Sequence, residues 1–121
     1  MAITIYGIKN CDTMKKAFGW LAKHGVAYDF HDYKTAGVSK AQLQKWCAAA
    51  GWETVLNRAG TTFRKLPEGD REKLTEAKAI ALMMAQPSMI KRPILEVRGM
   101  ESGGKVEIGF KPERYAAVFG G

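Results

Sequence analysis

The sequence is poor in cysteine, with two among 121 residues, and this scarcity excludes a fold held together by a disulfide framework. No apolar stretch approaches the roughly 20 residues that span a bilayer, so we expect no membrane helix. The segment Met1 to Tyr6 lacks the charged start, the long apolar core and the cleavage site of a signal peptide. We therefore expect a cytoplasmic protein whose cysteines stay reduced.

Several binding motifs are also missing. The two histidines have no cysteine or histidine at metal-ligand spacing, so we predict no metal site. Nineteen Lys and Arg residues oppose twelve Asp and Glu, which gives a net charge of +7 and favours an anionic partner. The basic residues are spread along the chain without a run, and no zinc-finger or RNP motif accompanies them. We therefore expect a small anion rather than nucleic acid as the partner.

The start of the chain has the pattern of a β-α-β unit. Ala2 to Tyr6 is a β-branched and aromatic run ended by Gly7, which is typical of a buried strand. Gly25 stops the helix that follows, and Val26 to Tyr33 alternates as a second strand, parallel to the first. The apolar stripe of the helix consists of Met14, Ala17, Phe18, Leu21 and Ala22.

The middle of the chain is helical in pattern. Ser39 and Gln42 form a capping box at the start of one helix. Residues 57–65 are typical of a loop. Residues 70–86 are typical of a helix, which is either continuous or broken near Thr75. We expect the three tryptophans to pack this middle region.

The end of the chain predicts two strands and a helix. Ile94 to Val97 and Val106 to Phe110 form an antiparallel hairpin around the turn region Gly99 to Gly104. Pro112 suits the first turn of a last helix, which ends near Gly120.

This element order predicts an α/β fold with a thioredoxin-like mixed four-stranded sheet and a helical insertion. We expect a single domain over residues 1–121. Its thioredoxin-like core covers about 1–34 and 88–121, and the insertion covers about 35–87.

Cys11 is the main candidate for chemistry. It lies between a buried strand and a helix, where free backbone N–H groups and the positive helix dipole lower the pKa of a thiol. Lys9 and Lys15 add positive potential, while Asp12 opposes it. The alternative interpretation is a small buried residue at a tight turn.

Cys47 has a different setting, because it shares a helical face with Leu43 and Trp46, which is typical of a core thiol. No C-x-x-C motif exists at Cys11, so a two-thiol cycle within one loop is excluded. A resolving thiol has to come from elsewhere, most simply from glutathione.

Four cations can each hold an oxyanion or a carboxylate, although each alone is typical of a surface charge: Arg58, Arg64, Arg92 and Lys111. The Arg92-Pro93 pair either opens an edge strand or forms a cis bond that brings its loop against the cysteine.

Three separated motifs, in order, resemble the arsenate reductase (ArsC/Spx) family, and its YffB-like branch above all. The motifs are residues 5–13, residues 56–61 with Leu-Asn-Arg and Gly-Thr, and residues 86–93 with Gln-Pro and Ile-Lys-Arg-Pro. The resemblance covers essentially the whole chain. It implies a thioredoxin-like core with a helical insert, a reactive Cys11, and a cis Pro93 facing that cysteine.

The sequence departs from the family's arsenate reductases, which hold their oxyanion with three arginines. Arg92 matches one of them, but the second position is Asn57, with Arg58 beside it, and the third is Lys111. Lysine keeps the charge without the bidentate fork, and asparagine loses the charge. The Spx regulators, which bind RNA polymerase, often carry a C-x-x-C that is missing here.

The leading hypothesis is a glutathione-dependent monothiol reductase in which the Cys11 thiolate attacks a small oxidised substrate or a disulfide. Glutathione then resolves the adduct as cosubstrate, with no tightly bound cofactor. The alternatives are an arsenate reductase and, from another class, a Spx-like adaptor with RNA polymerase as protein partner. The candidate substrate- or anion-binding residues are Lys9, Asn10, Thr13, Arg58, Arg92, Pro93 and Lys111.

Overall fold

The computed structural model describes residues 2–9, 11–99 and 104–119. The chain forms two compact units: one contains both chain ends, up to Tyr33 and from Arg92 onward, and the other is Lys34–Lys91. The second unit extends a few residues past the expected end of the insertion near residue 87. The reason is local, because the Lys91 N–H donates to the Val55 carbonyl at 2.9 Å and keeps this segment in the second unit.

The elements follow the predicted order, with additional short helices in the middle. In chain order they are β1 (Ala2–Gly7), α1 (Asp12–Lys23), β2 (Asp29–Asp32), α2 (Tyr33–Ala36), α3 (Lys40–Ala50), α4 (Trp52–Val55), α5 (Thr61–Arg64), α6 (Glu68–Arg71), α7 (Glu76–Ala85), a 3-10 helix (Pro87–Met89), β3 (Ile94–Arg98), β4 (Lys105–Ile108) and α8 (Pro112–Phe119).

The four strands form one mixed sheet in the order β2-β1-β3-β4. β1 runs parallel to β2 and antiparallel to β3, and β4 is antiparallel to β3. This arrangement confirms the predicted thioredoxin-like mixed sheet, its parallel first pair and its hairpin. The middle of the predicted hairpin turn, residues 100–103, and the predicted end of the last helix near Gly120 lie outside the described residues.

The predicted stripe of α1 packs on one face of this sheet, except for Ala22, which is exposed. Met14, Ala17 and Leu21 are fully buried against strand residues and against Tyr115 of α8. The strand residues of this cluster are Ile3, Ile5, Leu95 and Val97. The burial explains why an amphipathic helix follows β1, since its apolar side covers the sheet.

The second strand is shorter than predicted, because it begins at Asp29 rather than Val26. Gly25, at a φ of +67°, ends α1 as expected, and the Val26 N–H then donates to the Leu21 carbonyl at 2.9 Å. Val26 and Tyr28 pack against the core cluster without being paired as strand residues. Their alternating pattern therefore reflects burial and not strand pairing.

In the second unit the predicted capping box is confirmed, since the Gln42 N–H donates to Ser39 Oγ at 3.1 Å. Residues 70–86 do not form one continuous helix. The break that the sequence allowed near Thr75 is present, and Thr75 caps α7 by accepting from the Lys78 N–H at 3.2 Å. The prediction of a plain loop at 57–65 was wrong in part, because α5 forms one helical turn there.

The expectation that all three tryptophans pack the middle region was wrong for Trp20. This residue lies on α1 in the first unit, where its ring meets Tyr115 edge to face at 5.5 Å between centroids. Trp46 is fully buried in the second unit.

None of the helices formed by the described residues has the length and apolar character needed to cross a membrane.

Candidate active site around Cys11

Three chain segments meet at one edge of the sheet. β1 and β2 are parallel, with Gly7 opposite Asp32, so their carboxyl ends lie side by side. β3 runs the other way, with Ile94 opposite Tyr6, so its amino end lies at the same edge. The loop after β1, the residue after β2 and the residues before β3 therefore converge, which is where open α/β sheets commonly bind ligands.

Cys11 occupies the N-cap position of α1, at the end of the loop that follows β1. Its carbonyl accepts the Lys15 N–H at 3.0 Å, which closes the first helical turn. The thiol is partly buried and makes no side-chain capping hydrogen bond to the helix, but the backbone N–H groups of Thr13 and Met14 lie near enough to its sulfur to lower its pKa. These are the unpaired donors of a helix amino terminus, turned toward sulfur.

The pKa of the Cys11 thiol lies below its ordinary value. Burial is the largest single influence and raises the pKa. The Met14 N–H, the Arg92 guanidinium and the Thr13 N–H each stabilise the thiolate, and together they outweigh the burial. The sequence analysis attributed the positive charge to Lys9 and Lys15, whereas in the structure Arg92 supplies it.

Arg92 reaches Cys11 from the amino end of β3. Its half-buried guanidinium donates hydrogen bonds to the Cys11 sulfur and to the Tyr33 hydroxyl oxygen. The bond between Arg92 and Pro93 is cis, as the resemblance implied. The Pro93 carbonyl accepts the Gly109 N–H at 2.8 Å, so this oxygen is already engaged within the sheet.

Tyr33 is the residue at this edge that the sequence analysis missed as a functional candidate. It follows β2 directly, and its side chain has no exposed surface. Burial raises the pKa of the Tyr33 hydroxyl to about 12, although the Arg92 hydrogen bond opposes that rise. The hydroxyl is therefore neutral at physiological pH. Its position after a strand parallel to β1 is the signal that points to it.

Two more candidates of the first unit lie on its surface. The side chains of Lys9, after β1, and Lys111, before α8, are exposed. The Lys111 carbonyl accepts the N–H groups of Arg114 and Tyr115 and so begins α8. Asn10 lies outside the described residues.

Two candidate cations belong to the second unit, the exposed Arg64 at the end of α5 and Arg58. The Arg58 side chain makes a ring contact. Its exposed guanidinium lies over the Trp52 ring, 5.8 Å from the centroid. The neighbouring Asn57 side chain is turned onto Gly60, where an added Cβ would come within 2.7 Å of Asn57 Nδ2.

The second thiol has the opposite environment. Cys47 is 3% exposed, in the helix α3. Burial raises the pKa of the Cys47 thiol to about 11, and the carboxylates of Glu76 and Glu53 add to the rise. Cys47 is therefore a core thiol, as predicted, and both cysteines are free of disulfides.

Within residues 2–9, 11–99 and 104–119, no three His, Cys, Asp or Glu side chains form a group that could hold a metal.

Comparison with known proteins supports the resemblance stated from the motifs. The solved structure of the YFFB protein is 62% identical, covers 97% of this chain and 98% of its own, and superposes with a TM-score of 0.88. An arsenate reductase (ArsC) related protein from Brucella melitensis is 54% identical, with 98% and 95% coverage and a TM-score of 0.73.

A curated relative from Streptococcus agalactiae serotype V, the global transcriptional regulator Spx, is 27% identical over 117 residues. The match covers 95% of this chain and 81% of that protein. The model of the ArsC family matches residues 6–118, a span that runs from the last residues of β1 through the Cys11 loop and the Arg92-Pro93 bond into α8. With this match over nearly the whole chain, the protein belongs to the ArsC family.

Proposed function

We propose that this protein is a glutathione-dependent monothiol reductase that uses Cys11 as its nucleophile. One observation carries the proposal: the Cys11 thiol lies at the amino end of α1 and accepts a hydrogen bond from the Arg92 guanidinium, and its pKa is lowered. The thiolate is the attacking species in thiol–disulfide exchange. Since the pKa of Cys47 is raised to about 11, this second thiol is protonated at physiological pH.

The proposed reaction has two exchange steps. The Cys11 thiolate attacks the glutathione sulfur of a mixed disulfide, a new S–S bond forms, and the substrate leaves as a thiolate that takes up a proton. The thiolate of a second glutathione then attacks the glutathione sulfur of the adduct and releases Cys11 as a thiolate. One glutathione thiol thus reduces one substrate mixed disulfide, and it leaves joined to the substrate's glutathione as oxidised glutathione.

Arg92 is the proposed contact for a glutathione carboxylate. A guanidinium presents its N–H donors in a planar fork that matches the two oxygens of a carboxylate. Thr13, Asn10, Lys9 and Lys111 are further proposed contacts for the anion. We propose that backbone groups beside Pro93 pair with the peptide, using groups other than the Pro93 carbonyl, which accepts from Gly109.

Two linked measurements test the proposal. Intact-mass spectrometry after treatment with oxidised glutathione is expected to show one adduct, on Cys11. In a glutathione-linked assay with a glutathionylated peptide, Arg92→Ala is expected to weaken glutathione binding by about ten- to a hundredfold. The matched control is Arg98→Ala, because Arg98 lies at the other end of β3 and donates to Thr4 Oγ1 at 2.8 Å. An intramolecular Cys11–Cys47 disulfide, or no glutathione-linked turnover, would contradict the proposal.

Arsenate reduction is a second candidate, favoured by the 54% identity to the Brucella melitensis arsenate reductase (ArsC) related protein. It ranks lower because Asn57 and Lys111 lack the bidentate forks that hold an oxyanion. We expect Asn57→Arg with Lys111→Arg to raise arsenate affinity. Robust glutathione-linked arsenate reduction by the unaltered protein would reverse this ranking.

A regulatory adaptor is the candidate from another class, favoured by the similarity to the Spx regulator over 95% of the chain. An adaptor would retain its partner after Cys11→Ser, because packing and charge carry such a contact. Capture of RNA polymerase that is insensitive to Cys11→Ser, together with no thiol activity, would favour the adaptor. We expect thiol activity that is lost in Cys11→Ser.

A further inference from the structure

One guanidinium is shared between two acceptors at the sheet edge. Arg92 donates to the Cys11 sulfur and to the Tyr33 hydroxyl oxygen. The three residues come from different chain segments, which the register of β1 with β2 and with β3 brings together. The arrangement is thus set by the pairing of the sheet as well as by the side chains.

A long arginine side chain has many rotamers, so a single contact with sulfur would hold it poorly. Tyr33 provides a rigid second anchor, because its side chain has no exposed surface and directly follows β2. With two anchors the planar guanidinium has a fixed orientation as well as a fixed position.

We propose that Tyr33 is a positioning residue that holds the Arg92 guanidinium against the Cys11 thiol. The proposal rests on the proposed function for the assignment of Cys11 as the reacting group. Tyr33 acts through Arg92 and does not itself touch the sulfur in this scheme.

A neutral hydroxyl is well suited to this task. Its oxygen accepts from Arg92 without adding a negative charge that would compete with the thiolate for the guanidinium. The charged groups that act on Tyr33 are Arg92, Cys11 and the adjacent Asp32. A carboxylate in place of the hydroxyl would pair with Arg92 and reduce its effect on Cys11.

Tyr33→Phe tests the proposal, with the pH dependence of Cys11 alkylation by iodoacetamide as the readout. The lost anchor is expected to raise the pKa of Cys11 by about half a unit, which is roughly a threefold loss of thiolate at pH values below the pKa. The alkylation rate at high pH is expected to stay the same, since the sulfur remains accessible. A purely structural defect would change that plateau rate and not the pKa.

Tyr115→Phe is the matched control. Tyr115 is also fully buried in the first unit, and among the described residues its hydroxyl has no hydrogen-bond partner. Its removal is expected to leave the pKa of Cys11 unchanged. An equal shift in both variants would overturn the proposal, because it would reflect a general loss of a buried hydroxyl.

A double-mutant cycle shows whether Tyr33 acts through Arg92. In an Arg92→Ala background, Tyr33→Phe is expected to cause no further change in the pKa of Cys11. The same shift in both backgrounds, or no shift in either, would overturn the positioning role. The alkylation readout needs no glutathione, so failure of the reductase proposal would appear separately, as absent turnover in the wild-type protein.

Discussion

The two cysteines of this chain lie at opposite ends of two helices. Cys11 caps the amino end of α1, while Cys47 lies in the last turn of α3, where its carbonyl accepts the Gly51 N–H at 2.7 Å. The amino end of a helix carries partial positive charge and the carboxyl end partial negative charge. The cation Arg92 reinforces the first environment, and the carboxylates of Glu76 and Glu53 reinforce the second.

The comparison teaches that burial alone does not decide the state of a thiol. Burial is the largest influence on both pKa values and raises both. The pKa of Cys11 nevertheless falls, because the Met14 N–H, the Arg92 guanidinium and the Thr13 N–H stabilise its thiolate. In contrast, the electrostatic contributions at Cys47 act in the same direction as burial. The donors around the sulfur therefore separate the reactive candidate from the core thiol.

The largest expected effect is on turnover, when each cysteine in turn is replaced by serine. In the glutathione-linked assay, Cys11→Ser is expected to reduce turnover by at least about a thousandfold, since it removes the nucleophile. Cys47→Ser is expected to keep most of the activity, because this thiol is protonated and buried. Equal losses of turnover in the two variants would contradict the assignment of different roles to Cys11 and Cys47.

The stability of the protein at alkaline pH is expected to depend on Cys47. Its folded pKa of about 11 lies above the unfolded value, so its contribution to stability is present below about pH 8.5 and is lost as the pH rises toward 11. The loss amounts to roughly 3 kcal/mol. Cys47→Ala is expected to lack this loss in urea unfolding with reductant at pH 8 and pH 10.5.

For Cys11 the sign is the reverse, because its folded pKa is lowered. Its contribution is present above the unfolded pKa and is lost as the pH falls through the folded pKa. The urea-unfolding test concerns Cys47 alone. If Cys47→Ala loses as much stability between pH 8 and pH 10.5 as the wild type, Cys47 is not the group responsible for the loss.

Arg92→Ala is expected to bring the two thiols closer in reactivity. Loss of the guanidinium raises the pKa of Cys11 by about 1 to 2 units, since a hydrogen bond to a charged group contributes about 1.5 to 3 kcal/mol. The pH profile of alkylation measures this shift, and Arg92→Lys is expected to restore part of it. No change in Arg92→Ala would mean that the helix N–H groups alone stabilise the thiolate.

The smallest expected effect concerns the support of the Cys11 loop. A Cβ on Gly7 would lie 2.3 Å from Met14 Sδ, and Met14 is fully buried, so Gly7→Ala forces this side chain to move. We expect a loss of about 1 kcal/mol in the free energy of unfolding. The loss is expected to be smaller in a Met14→Ala background, and an equal loss in both would exclude this contact as its cause.

Local patterns predicted much of the fold. The stop at Gly25 and the capping box of Ser39 and Gln42 depend on neighbours within a few residues and are found as predicted. The stripe of α1 is found as well, except that Ala22 is exposed. The single turns α4 and α5 were not predicted, because a four-residue helix gains too little from its own hydrogen bonds and requires tertiary packing.

The site was only partly predictable for a related reason. Cys11 stands out because a strand and a helix adjoin it in sequence. Arg92 contacts Cys11, and Tyr33 contacts Arg92, only because β1 pairs with β2 and with β3. These neighbours in space are many residues apart in the sequence. The alternation over Val26 to Tyr33 also included Tyr33 in a strand, whereas it begins the helix α2.

Competitive alkylation tests the central claim most directly. The native protein is treated with iodoacetamide at pH 7 under reducing-agent-free conditions, and peptide mass spectrometry follows the modification of Cys11 and Cys47 over time. Since the pKa of Cys11 is lowered and the pKa of the buried Cys47 is raised to about 11, the account predicts that Cys11 reacts at least about a hundredfold faster. Equal rates, or faster modification of Cys47, would contradict it.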